Sequence, residues 1–514
     1  VYYFLNDNMQ AQKSGIEHAE IKRLQLFKHF KVPAQIVTRQ FALDLHQVMA
    51  QAQIADAELV NLFDFFTGAR HAKVTPQRLK DLKLTKDHRL VEDDEKTVAI
   101  MAQGQRRATV TLRNVKHQTL DHIQYFEPNG QTTKMVWYDT RGFLSLEQYF
   151  DWGGKIVREQ YLGPDHHVHL VRLRYLNRQN EECESWRLLH YQGHDYEFAG
   201  FNEVTCFFLD ELNSRTEGQH VMICDRTVEY GWALFHMRTQ VFKVLHLHND
   251  HVNDPSDMLH SSFNSNYAHA LNNLDQWQAV ISATPQQTQD MVDRFGMTPP
   301  EYTIPVGIVS DATLTAQHQD WDARESQLIV QVARLAPEKQ PDQAVKAFQI
   351  VHERYPQAHL EFWGYSNGDT ETQLRQQVAE AGLQDFVLFK GYTEDVNQVY
   401  NRAQMGILPS RAEGFSLMLL EAQAHGLPMI ANDIKYGPAA IIQDGKTGIL
   451  TKNDDIQGLA QAMIDLLSNP AQLRNFSEAA YESSERYSEA AVMTQWQALI
   501  HQAQQFYQAI KKED

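Results

Sequence analysis

The chain has 514 residues, 43% of them apolar, and a formal net charge of −18. That length exceeds one ordinary core and predicts two or three domains; no apolar run approaches the roughly eighteen residues of a membrane span, and no signal peptide is read at the start. The acid excess disfavours nucleic acid as a partner, and Cys183, Cys206 and Cys224, with no C-x-x-C spacing, argue against a zinc site and for buried thiols in a cytoplasmic protein.

Residues 1–5 read as a short strand, followed by a polar loop to Gly15 and an amphipathic helix with Ile21, Leu24 and Phe27 on one face. Gly15 crowns this first βα unit, a place an ordinary turn glycine would also fill. A second strand is predicted at 34–38, with helix to about Phe66. From Lys73 the pattern changes to short alternating runs at 97–101, 108–112, 123–126, 135–138, 146–150 and 168–173. Turn signals such as Pro128-Asn129-Gly130, Arg141-Gly142 and Gly153-Gly154 separate them. Residues 73–200 are therefore expected to form an antiparallel β-meander inserted into an α/β domain made of 1–72 and 201–310. Its exposed edges and aromatic residues suit a docking or oligomer surface, a self-contained lid being the alternative.

The α/β pattern returns at 221–225 and 241–245, the second run ending in His246-Leu247-His248-Asn249-Asp250-His251. Three histidines so close together read either as metal ligands or as ligand-binding groups at the end of a parallel strand. After a strand at 279–284 and a passage at 302–307, residues 311–487 alternate strands (328–332, 360–363, 386–389, 405–408, 429–431) with helices, which predicts a doubly wound parallel sheet. The run at 328–332 leads to Arg334, with Lys339 five residues on; two cations at a strand mouth can neutralise a diphosphate. The run at 405–408 passes through Pro409-Ser410 into Glu413-Gly414-Phe415-Ser416-Leu417 and a helix carrying Glu421. A strand–loop–helix turn offers unpaired N–H groups and a positive helix end, Gly414 permits close approach, and two carboxylates accept from hydroxyls. Together the two segments describe a nucleotide-sugar site.

The run R-x4-K followed by E-G-F-S-L-x3-E, with Gly426-Leu427-Pro428, resembles the retaining glycosyltransferases of family four. The resemblance implies a GT-B fold, α/β overall, with two Rossmann-like domains facing across a cleft and the β-meander inserted in the first. It also implies that a terminal helix, within 488–514, crosses back to the N-terminal domain. For the site it implies that Arg334 and Lys339 hold the diphosphate, that Glu413 contacts the transferred sugar and that Glu421 contacts the ribose. Gly414, Phe415, Ser416 and Leu417 then line the donor, and Gly15 faces it. Tyr392, in Gly391-Tyr392-Thr393, falls where the family binds the base, with a core tyrosine as the alternative. A histidine at the strand end touches the sugar: His246 first, with His248 and His251 behind it, although the spacing departs from the H-x-x-H of close relatives. Without a placed D-x-D element, no metal and no cofactor is expected, the cations compensating charge instead. Retention is expected by same-face attack, with a covalent adduct on Glu413 as the rival.

Ser14-Gly15-Ile16-Glu17, Asn61-Leu62-Phe63-Asp64-Phe65-Phe66, Tyr138-Asp139-Thr140-Arg141-Gly142-Phe143-Leu144-Ser145 and Asp433-Ile434-Lys435-Tyr436-Gly437-Pro438 resemble, nearly end to end, bacterial enzymes with the same inserted domain. These add GlcNAc from a UDP-sugar to serines of Ser-rich or Ser-Asp-repeat surface proteins, or glycosylate wall teichoic acid. The protein-directed branch leads, with the teichoic acid branch as alternative and a non-catalytic acceptor-binding subunit as a reading of another class. The resemblance further implies a homologous partner subunit or homo-oligomer through the β-meander, and a cytoplasmic location extending to the inner face of the membrane.

Overall fold

Strand β1 (Tyr2–Asn6) is buried at every position, and it pairs in parallel with β2 (Ala34–Thr38), which pairs in turn with β3 (Leu59–Asn61). The computed structural model describes residues 1–215, 218–366 and 368–513. After β3 the chain enters a ten-stranded antiparallel sheet: β4 (His88–Glu92), β5 (Thr97–Ala102), β6 (Gln105–Asn114), β7 (Thr119–Phe126), β8 (Thr132–Tyr138), β9 (Leu144–Phe150), β10 (Ile156–Leu162), β11 (Val168–Leu176), β12 (Glu182–Tyr191) and β13 (His194–Phe198). Each strand pairs with its neighbours in sequence, as tight turns dictate. The chain then returns through the helix Phe201–Arg215 to β14 (Val221–Cys224), the other parallel neighbour of β1.

Residues just before this insertion and in its β8–β9 turn meet as a clasp. Arg141, buried in the turn after β8, donates to Asp139 Oδ1 at 2.8 Å, the Ala69 carbonyl at 2.6 Å and Asp64 Oδ1 at 3.2 Å. His46 bridges the other oxygen of Asp64 to Asp56. Gly142, at φ 107°, lies so close to Thr75 that a Cβ would come within 2.1 Å of its carbonyl oxygen. Beside the clasp Phe63 packs against Phe41, Tyr161, Trp186 and Phe201, joining the sheet to the first α/β elements by an aromatic seam.

A second set of parallel strands, β15 (Phe242–His246), β16 (Ala279–Ser282) and β17 (Glu301–Thr303), precedes a six-stranded parallel sheet. That sheet comprises β18 (Leu328–Val332), β19 (His359–Trp363), β20 (Val387–Gly391), β21 (Met405–Leu408), β22 (Met429–Asn432) and β23 (Gly448–Thr451), in the order β20-β19-β18-β21-β22-β23. The chain thus winds outward in one direction from β18, then jumps back to β21 and winds in the other, as in dinucleotide-binding folds. Apolar faces of the helices Pro341–Arg354 and Ile456–Ser468 close one side of its core through Phe348, Val351, Met463 and Leu466.

By packing, the chain divides into two units: 1–11 with 34–241, and 12–33 with 242–514. The helix Gly15–His29 therefore groups with the C-terminal sequence rather than with the strands on either side of it. It is tied there by Lys22 to Glu421, Arg23 to His246 and Phe27 to Trp496. The terminal helix Glu489–Glu513 lies in the same unit, where Phe506 meets Phe242 and Gln502 bonds the Gln278 carbonyl.

Candidate active site

Strands β18 and β21 are neighbours whose successors run to opposite edges of the sheet, so the loops leaving them diverge and open a crevice at their C-terminal ends. Arg334 and Lys339 lie in the first loop, and Glu413 to Leu417 in the second. The turn Pro337–Lys339 aims Lys339 across the crevice, where its Nζ donates to Glu413 Oε1 at 2.6 Å. Both groups are largely withdrawn from water, their side chains 20% and 8% exposed. Arg334, more open, pairs instead with Glu338 at 2.6 Å, and the Arg411 amide bonds the Glu338 carbonyl, joining the two loops. The four charges form two separate ion pairs, and a bound dianion would compete with the carboxylates for both cations.

Ser416 adopts φ 77°, an unfavoured backbone for a residue with a side chain, and so brings the chain abruptly into the helix Leu417–Ala424. The first amides of that helix thereby line the crevice rim. Gly414 is pressed against the loop after β15: a Cβ there would stand 2.1 Å from the His248 carbonyl oxygen. Phe415 points away from the crevice, buried edge-on against Tyr487 at 5.5 Å, so only its backbone is free to face a ligand. Leu417 is partly buried against the same core. Glu421, about one turn into the helix, accepts from Lys22 at 2.8 Å and from the Tyr400 hydroxyl at 3.3 Å. Burial opposes its ionisation, but Lys22, His18 and the Tyr400 hydroxyl together hold the carboxyl below its usual range. Gly15 is exposed at the first position of the helix bearing Lys22, with open space where a Cβ would stand, and Ser14 is fixed by its amide bond to Glu17 at 2.7 Å.

His246 ends β15 and is buried; its Nδ1 accepts from Arg23 at 2.8 Å, and the His248 ring stands 4.2 Å away. His248 is half-buried and its amide donates to the Tyr267 hydroxyl at 2.8 Å. His251 belongs to a different environment. It is fully buried, stacked on Tyr436 at 6.2 Å, and burial pushes its pKa down to about 4. Such a ring is neutral, and among the described residues neither of its nitrogens has a hydrogen-bond partner. Tyr392, following β20, stands edge-on to Tyr365 at 6.1 Å, half-buried, with the Lys13 amide bonding its hydroxyl.

Asp250 is absent from the residues expected at the site, since the histidines around it carry the pattern and burial leaves no mark in residue spacing. It is 6% exposed, and among the described residues its Oδ1 has no hydrogen-bond partner. Burial, then the Glu413 charge, pushes its pKa up to about 7, Lys435 opposing. Lys435 itself is held by Asp290 at 2.8 Å. An unsatisfied buried carboxyl oxygen costs free energy and gains a partner when a hydroxyl-bearing ligand arrives.

Residues 5–273, more than half the chain, match the family model of an accessory Sec system protein, and residues 315–483 match the one described as glycosyl transferases group 1. The chain is 26% identical, over 97% of its length and 98% of the relative's, to the UDP-N-acetylglucosamine--peptide N-acetylglucosaminyltransferase GtfA subunit of Streptococcus gordonii. It is 23% identical, over 98% of its length and 75% of the relative's, to the poly(glycerol-phosphate) alpha-glucosyltransferase of Bacillus subtilis. Among solved structures, the pneumococcal O-GlcNAc transferase GtfA in complex with UDP and GlcNAc superposes with a TM-score of 0.84 at 20% identity, covering 98% of each chain. The crevice between β18 and β21 is thus set in a shared GT-B architecture; the chain belongs to the accessory Sec system protein family through its N-terminal half and, with its group 1 glycosyl transferase portion, is a GT-B glycosyltransferase carrying an inserted β-meander.

Proposed function

We propose that the protein transfers a sugar, GlcNAc in preference to glucose, from a UDP-sugar with retention onto serine hydroxyls of a Ser-rich or Ser-Asp-repeat surface protein. The observation that carries this reading is the Lys339–Glu413 pair, desolvated at the switch point of a doubly wound sheet beside Arg334 and a helix start. As the donor bond breaks, negative charge grows on the departing diphosphate. Lys339 and Arg334 stabilise it without a metal ion, together with the amides that follow Ser416. Lys339 then turns from Glu413 toward phosphate, freeing that carboxylate to accept from sugar hydroxyls. Glu421 accepts from the ribose, and Gly15 leaves room for the donor at its own helix start. Tyr392 packs by the base, while His246, oriented by Arg23, and Asp250 with its unoccupied oxygen fix the transferred sugar. The acceptor hydroxyl attacks from the leaving-group face, and the departing phosphate takes its proton.

Transfer to poly(glycerol-phosphate) is the second reading, favoured by the Bacillus relative. Against a non-catalytic acceptor-binding role stands the retention of Arg334, Lys339, Glu413 and Glu421 together. We also propose a cytoplasmic enzyme, peripheral at most to the membrane, that assembles with a homologous subunit; the relative's designation as a subunit and the exposed Leu90 and Val91 of edge strand β4 support that. The deciding experiment incubates the purified chain with UDP-GlcNAc or UDP-glucose and either a Ser-rich peptide or teichoic acid. Transfer confined to teichoic acid would overturn the first choice.

A further inference from the structure

The N-terminal unit contains a cavity of about 560 Å³ that lies outside the donor chemistry. One wall is the sheet face at β6 to β9; the other is the segment from Phe41 to Gln47. Cross-strand register puts His122, Trp137 and Leu146 in one row, with Gln148 on the same face two residues on. Trp137 is fixed from two sides: its ring packs on His122 at 4.5 Å, and its Nε1 donates to Gln148 Oε1 at 2.9 Å. Gln148 is held in turn by its bond to Glu159 at 2.9 Å. Arg113 is engaged with Asp121 at 3.1 Å and with the Tyr138 carbonyl at 2.6 Å. On the opposite wall Asp44 precedes the helix Leu45–Gln51 yet makes no capping bond, leaving its carboxylate available.

The lining therefore joins a rigid indole to carboxylate and amide groups. Among the described residues its one cation is Arg113, already neutralised by Asp121, and Asp44 adds a further negative charge. A phosphate chain would be repelled here. A ring with an apolar C–H face and a rim of hydroxyls matches both halves of the lining, and the volume falls in the range of small-molecule sites. We propose that this cavity binds a neutral glycosyl unit, with Trp137 as its platform and Asp44 and Asp121 accepting from its hydroxyls. The source of that sugar rests on the function proposed above: a GlcNAc already placed on the acceptor.

The test measures binding without turnover. The full chain, lacking donor, is titrated with a Ser-rich peptide carrying O-linked GlcNAc, the same peptide unmodified, free GlcNAc and a glycerol-phosphate oligomer. The glycopeptide is expected to bind at least about tenfold more tightly than the bare peptide. That gain disappears in Trp137→Ala and shrinks in Asp44→Ala, which leaves the Trp137 contacts intact and guards against misfolding of the first variant. It persists in Lys339→Ala. Binding of free GlcNAc through Trp137 supports a sugar site whatever its attachment. Loss of the gain in Lys339→Ala alone, equal binding of both peptides, or preference for the glycerol-phosphate oligomer overturns the proposal. Because no transfer is needed, an inactive enzyme that still shows the Trp137-dependent gain would refute the proposed function and leave this site standing.

Discussion

On the proposed mechanism donor cleavage depends most directly on the Lys339 ammonium, whose side chain is 20% exposed against 39% for Arg334. Lys339→Ala is expected to lower kcat by about 10²–10³-fold, the usual loss when one transition-state donor is removed, and steady-state kinetics with the UDP-sugar checks it. Asp250 gives the site a pH dependence. With its pKa raised to about 7, it is neutral and able to donate below that pH and charged above. Activity is expected to fall as pH rises through about 7, and Asp250→Asn, which keeps a donor, should flatten that limb of the profile. The same shift makes the folded state bind more protons than the unfolded one, so stability declines between about pH 4 and pH 7 at this residue. That Arg334 and Lys339 follow β18, and that Glu413 and Glu421 follow β21, was legible from the apolar runs before them, because a strand ending fixes where the following residues go; their roles came from the resemblance. Their pairing was not legible: Lys22 on Glu421 and Arg23 on His246 each link positions more than two hundred residues apart. Asp250 was hidden for a related reason, since its neighbours in space, Glu413 and Lys435, are remote in sequence.

The β-meander was visible as alternation, but four of its strands, β4, β10, β12 and β13, were not among the expected runs. In β10 and β12 the cause is a polar ladder on the packed face. Buried Glu159 meets Arg172 at 3.2 Å, Arg172 reaches Glu184, and the guanidinium covers the Trp186 ring at 5.3 Å. Charges facing inward break the apolar alternation that betrays a strand. The Arg-Gly-Phe-Leu-Ser and Asn-Leu-Phe-Asp segments, noted for resemblance, have a structural role in the clasp. Arg141→Ala leaves Asp64 and Asp139 buried without their cation and is expected to destabilise the N-terminal unit by about 3–5 kcal/mol, measured by denaturant unfolding. His46 sets the clasp's pH limits. Burial opposes its charge, but Asp64 and Asp56 prevail and raise its pKa, while His46 and Arg141 lower that of Asp64 against the same opposition. The His46 contribution is therefore full below about pH 6.5 and lost as pH climbs through its raised pKa; that of Asp64 is full above about pH 4 and lost on acidification. His46→Gln should remove the alkaline part of the stability profile and leave the acid part.

For the whole molecule, the doubly wound order and the inserted sheet were legible because periodicity survives in long runs, whereas the grouping of the helix Gly15–His29 with residues 242–514 was not. On the proposed mechanism, in which Arg334 and Lys339 compensate the charge, the enzyme is expected to keep its rate in EDTA; a loss restored by added divalent ion would contradict this. Serine-rich peptide should be the better acceptor in the same assay. The helix Gly15–His29 also dictates an order of assembly. Lys22 leaves the ribosome 399 residues before Glu421, so during synthesis this helix must wait, its apolar side uncovered, while an entire β domain forms behind it. Nascent chains halted before Glu421 should therefore be protease-sensitive near Lys22 and draw chaperones there, and a separately expressed 242–514 fragment should recover its fold only when a peptide spanning 12–33 is supplied.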